Sequence, residues 1–109
     1  MKSKKRVVEF DLSPVNAKRM LTDIAKDSGR VFISDHAEKR MKKRNITRAQ
    51  VMKCLKHGII TEGPSRGIKG NWELRIETLS AGDPIAVVAA LDKDNKGNLI
   101  VVITTYKSN

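Results

Sequence analysis

Two stretches near the C-terminal end, PIAVVAALD (84–92) and LIVVITTY (99–106), are apolar on both of their alternating faces. Such runs need strand neighbours on each side, so both are expected to be central strands of one sheet. Asp94-Asn95-Lys96-Gly97-Asn98 lies between them and Ala81-Gly82-Asp83-Pro84 precedes the first; both are turn chemistry. Further upstream Trp72, Leu74 and Ile76 alternate with Glu73, Arg75 and Glu77, the pattern of a half-buried strand. Residues 59–62 form a short apolar run, and GPSRGIKG (63–70) reads as a glycine-rich loop.

The first half has helical spacing instead. Ser13 and Pro14 start a helix expected over 14–28, with Ala17, Met20, Leu21, Ile24 and Ala25 on one side and Gly29 as its stop. VFI (31–33) is a short extended run. Ser34 or Asp35 then caps a helix over 35–44 that Asn45 ends. Thr47 and Gln50 form a capping box for a third helix over 48–57, closed by Gly58. Helices followed by a meander predict an α+β fold, with N-terminal helices packed on a three- to four-stranded antiparallel sheet. The 109 residues suffice for a single core. Residues 1–12 are expected to be a basic tail and extended arm (VVEFDL), and 13–109 one domain.

The net charge of +10 is concentrated in two segments. Lys2, Lys4, Lys5 and Arg6 contribute +4, and 35–58 contributes +6, with eight bases against Asp35 and Glu38; the rest balances. A basic block on one helix suits an anion, and phosphate first. A membrane surface is the weakest partner, because 35–44 offers only Ala37 and Met41 on its apolar side. No apolar run approaches the roughly 20 residues that cross a bilayer. A single cysteine excludes an internal disulfide and suits a reducing compartment, so a soluble cytoplasmic protein is expected.

The sharpest motif is His36-Ala37-x-x-Arg40-Met41-x-x-Arg44-x-Ile46. At 100° per residue, His36, Arg40 and Lys43 share a helix face, while Ala37 and Met41 point toward the core. A histidine beside permanent cations is a candidate proton-transfer group against a phosphate. This motif, the following Val51 and Leu55, and the terminal Thr104-x-Tyr106 resemble the domain of unknown function 4258, over about residues 31–106. That family is related to RelE-like and BrnT-like bacterial toxins of the barnase–colicin–RelE ribonuclease fold. The resemblance implies a RelE-like sheet and either RNA cleavage without a metal or a descendant that only binds. It marks His36, Arg40, Arg75, Thr104 and Tyr106 as candidate catalytic residues.

Cleavage by the RNA's own 2′-hydroxyl needs a base, an acid and donors that hold the phosphorane. His36 is the candidate base or acid, and Arg40 and Arg75 are candidate phosphate forks. The second proton-transfer group is not marked; Glu73 and Tyr106 are the options. Glu73-x-Arg75-x-Glu77 also reads as an ordinary charge ladder on a solvated face. Lys39, Lys43, Arg44, Arg66 and Lys69 are candidate contacts to a nucleic-acid backbone. No cofactor is expected: GPSRGIKG lacks a phosphate-loop pattern, and Cys54 with His57 is too little for a metal site. The expected partners are RNA, free or on the ribosome, and an acidic antitoxin. The alternatives are a non-catalytic nucleic-acid-binding module and an accessory protein that docks on an acidic partner.

Overall fold

The computed structural model describes residues 12–80 and 82–107, so the basic tail and most of the expected arm lie outside the described residues. The elements are α1 (Pro14–Ala25), a 3-10 turn (Ser28–Arg30), β1 (Val31–Ile33), α2 (Asp35–Arg44), α3 (Arg48–His57), β2 (Ile59–Arg66), β3 (Trp72–Ser80), β4 (Asp83–Asp94) and β5 (Gly97–Lys107).

Each helix starts where its cap chemistry says. Ser13 Oγ accepts from Asn16 N at 3.1 Å with Pro14 in the first turn. Ser34 Oγ accepts from Ala37 N at 3.1 Å. Thr47 and Gln50 close the capping box of α3. The first helix is shorter than its pattern predicted, ending at Ala25. The chain then tightens into the 3-10 turn, where Asp27 Oδ1 takes the Gly29 N–H at 3.0 Å and competes with helix continuation. Asn45 ends α2 in the left-handed region, at φ 57. Gly58 is needed for space: a Cβ there would lie 2.5 Å from both Ile76 Cγ2 and the Cys54 carbonyl oxygen. The close approach of α3 to β3 therefore depends on it.

The sheet departs from the three- to four-stranded antiparallel expectation. It is five-stranded and mixed, in the order β1-β5-β4-β3-β2. β1 adds a parallel edge, with Val31 opposite Ile100 and Ile33 opposite Val102. A three-residue run carries too little pattern to declare a parallel partner sixty-nine positions away. The glycine-rich stretch is also largely strand: β2 continues to Arg66 through two register shifts. Bulges on an edge strand accommodate Gly63 and Pro64 where a regular ladder would not.

One face of the sheet presents Leu74, Ile76, Val87, Ala89, Ile100 and Val102 to a core completed by α1 (Ala17, Leu21, Ile24), α3 (Val51, Cys54, Leu55) and α2 (Ala37, Met41). Glu73, Arg75, Glu77, Ala86, Val88, Ala90 and Val101 alternate with these and fall on the other face, which contributes nothing to that cluster. All three helices bury their apolar residues on the first side. None of the described helices is long and apolar enough to cross a membrane.

Candidate functional site

The second face is organised by an irregularity. Strict alternation from Ile100 and Val102 would send Thr104 and Tyr106 into the core. The ladder instead shifts between Val88 and Ala89, so that Ala89 pairs with Val102 but Val88 with Thr104. Ile103 is the extra residue. It turns Thr104 and Tyr106 onto the face of Arg75, which pairs with the same Val88. Ser34 holds the bulge: its N–H donates to Val102 O and its Oγ to Ile103 O, both at 3.1 Å. The cap of α2 and the bulge of β5 thus share one side chain.

On this face Arg75 Nε donates to Glu77 Oε2 at 3.0 Å, and its guanidinium lies 5.2 Å from the centroid of the Tyr106 ring. Thr61 Oγ1, reaching in from β2, donates to the same Glu77 oxygen at 2.8 Å. The Thr61 hydrogen bond, then partial burial working against it, then the Arg75 hydrogen bond leave the Glu77 carboxyl below the usual carboxylate range. The two terminal nitrogens of Arg75 have no partner among the described residues, and 29% of its side chain is exposed. Beside it Glu62, Glu73 and Ser65 line a recess of about 130 Å³. Thr104 is turned to this face but only 8% exposed, so Tyr106, at 36%, is the more available hydroxyl.

Helix α2 has the opposite character. His36, Lys39 and Lys43 are exposed, and Arg40 and Arg44 half-buried. None of these five makes an ion pair or side-chain hydrogen bond with another described residue. The Nε of Arg44 is buried without a hydrogen-bond partner among the described residues. Ala37 and Met41 form the expected seam, 0% and 8% exposed. The helix also has acids in its first turn and bases in its last, matching its dipole.

Arg66 and Lys69 belong to neither region. They sit at the end of the β2–β3 hairpin, where Arg66 lies over the Trp72 ring, 4.2 Å from its centroid, beside a recess of about 450 Å³. Cys54 is buried, donates to Ile76 O at 3.4 Å, and has its thiol pushed up to about 12 by burial. No group of three or more metal-ligating side chains occurs among the described residues.

The structure therefore brings Arg75, Thr104 and Tyr106 together, keeps His36, Lys39, Arg40, Lys43 and Arg44 on α2, and sets Arg66 and Lys69 apart. Sequence reasoning read Glu77 only as part of a charge ladder and Ser34 only as a helix cap, and did not single out Thr61. Glu77 had a signal, since it lies two residues from Arg75 on one strand. Thr61 had none, because its position depends on the irregular register of β2.

The family model of the domain of unknown function 4258 matches residues 33–107. The chain belongs to this family. The match opens one residue before Ser34 and closes at the end of β5, so it contains every residue of α2 and of the Arg75 cluster and leaves α1 outside. No curated protein and no solved structure matches the chain. Membership in the domain of unknown function 4258 brings no activity with it.

Proposed function

We propose that this protein is a toxin-like endoribonuclease that cleaves RNA by attack of the internal 2′-hydroxyl. The observation that carries the reading is Arg75: oriented by Glu77 and Tyr106, with its terminal nitrogens unpartnered among the described residues. A guanidinium held this way presents a fork to a phosphate. Glu77 is the base for the 2′-hydroxyl through Oε1, while Thr61 and Arg75 bind Oε2 and keep the group ionised at some cost in basicity. Tyr106, on the same face as Arg75, supplies the proton to the leaving 5′-oxygen, and His36 and Arg40 with the lysines of α2 hold the chain. The nucleophile belongs to the substrate, so these roles call for no cofactor. An acidic antitoxin is the partner this reading implies, with its carboxylates meeting the cations of α2, and the cytoplasm is its setting.

Incubation of purified protein with RNA in the presence of a chelator is expected to yield 2′,3′-cyclic phosphate ends. Glu77→Gln and Tyr106→Phe should each lower the rate by about a hundredfold or more, while His36→Ala should act mainly on binding, with the fold checked by circular dichroism. RNA left intact with chelator, with magnesium and with ribosomes sinks the proposal.

A binding module without catalysis has its own support. Arg75 is flanked on its face by Glu62, Glu73 and Glu77, an acid excess that opposes a polyanion. Under this reading α2 alone carries affinity, and Arg75→Ala leaves RNA binding unchanged.

A further inference from the structure

We infer that the recess at the hairpin end is a nucleotide-binding site, with the base stacked on Arg66 and the phosphate held by Lys69 and Lys93. It is separate from α2 and from the Arg75 cluster, and needs neither for its argument. Its volume of about 450 Å³ falls within the range of sites that take small organic ligands. Met20, Trp72 and Leu91 give it an apolar floor, while Arg66, Lys69 and Lys93 stand against Asp92 alone. Apolar floor and excess positive charge together suit a ligand that is flat at one end and anionic at the other.

Arg66 is pinned in place. Its guanidinium lies 4.2 Å from the indole centroid, and Nη1 donates to Gly70 O at 2.6 Å. Nε and Nη2 have no partner among the described residues, and the residue is exposed. A guanidinium fixed on an aromatic ring offers its outer plane to a nucleobase, extending the stack by one member.

The two turns that frame the recess are fixed before any ligand arrives. Gly67 N donates to Asn71 O at 2.8 Å and Gly70 N to Gly67 O at 3.0 Å. Across the recess Arg30 ties down the β4–β5 turn, with Nη2 2.7 Å from Asp94 Oδ1 and 2.9 Å from Gly97 O. Preset walls lower the ordering cost of binding.

Trp72 is the single tryptophan of the chain, so its fluorescence reports this recess directly. The experiment titrates the full chain with adenosine and guanosine monophosphates, the nucleosides, inorganic phosphate and a short single-stranded RNA. A saturable change with the monophosphates or with the RNA is expected. Binding by the monophosphates assigns a free nucleotide; binding by RNA alone assigns one nucleotide of a chain. Arg66→Ala and Arg66→Lys should each raise the dissociation constant about tenfold or more, the second because it keeps charge but loses the plane. Lys69→Gln, an exposed turn position, should weaken the monophosphate and leave the nucleoside unaffected. The inference is overturned by no saturable change with any nucleotide or RNA, by phosphate alone reproducing the titration, or by unaltered affinity in both Arg66 variants. Cleavage is a separate readout, and its absence leaves this titration as it stands.

Discussion

Helix α2 and the second face of the sheet carry charge in opposite ways. On α2 the cations stand apart: none pairs with Asp35 or Glu38, although Asp35 and Lys39, and Glu38 and Lys42, have the spacing for it. On the sheet Arg75, Glu77, Thr61 and Tyr106 hold one another. Unpaired surface cations supply affinity for a polyanion but little position. Interlocked groups have lost part of their affinity and gained a fixed geometry, which is what catalysis requires. The larger charge and the better-built site are therefore different places.

The strongest way to break this contrast is to discharge the helix. Lys39→Gln, Lys42→Gln and Lys43→Gln combined remove three exposed charges without touching Ala37 or Met41. The slope of log affinity for single-stranded RNA against log salt should flatten by about 2, equivalent to about a hundredfold in affinity at 0.1 M salt. Filter binding across a salt series measures it. An unchanged slope would move the RNA contact off α2.

The split between the two regions also marks what could be seen in advance. The helix was legible down to its ends, because Ser34, the acids and bases of its terminal turns, and Asn45 are all local signals. Ala37 and Met41 were equally visible from periodicity. The central strands were visible because they are apolar on both faces. The sheet cluster was only half legible. Arg75 and Tyr106 were marked by the family motif, yet alternation alone puts Tyr106 on the wrong side, and only the extra residue at Ile103 corrects it. β1 was read as an extended run but not as a strand of the sheet, because its pairing is parallel and distant, and β2 was cut short because Gly63 and Pro64 signal a loop unless a bulged edge takes them in. Non-local register is what a single sequence withholds.

A smaller effect tests the link between the two regions. Ser34→Ala removes both the cap of α2 and the bond to the bulge carbonyl, and should cost about 1–2 kcal/mol, read by denaturant unfolding. Ser34→Asp restores the cap, since its carboxylate accepts from Ala37 N, but it has no proton for Ile103 O. If the bulge bond matters, Asp recovers only part of the loss. Full recovery would reduce Ser34 to a helix cap and detach the sheet cluster from α2.

The smallest effect lies inside the cluster. The Glu77 carboxyl is held below its ordinary range, chiefly by the Thr61 hydroxyl and less by Arg75. A carboxylate favoured in the folded state adds stability that is fully present above the unfolded value, and that is lost as pH falls through the folded one. Glu77→Gln should therefore lower the melting temperature slightly at neutral pH, and the gap to the parent should close on acidification. The gap is small because 39% of the side chain is exposed and water screens it. Thr61→Val should move the titration of Glu77, followed by carboxyl NMR, further upward than Arg75→Met does. A larger response to Arg75→Met would make the ion pair, and not the hydroxyl, the group that sets this carboxylate, and would leave Arg75 less free for a phosphate than its unpartnered nitrogens imply.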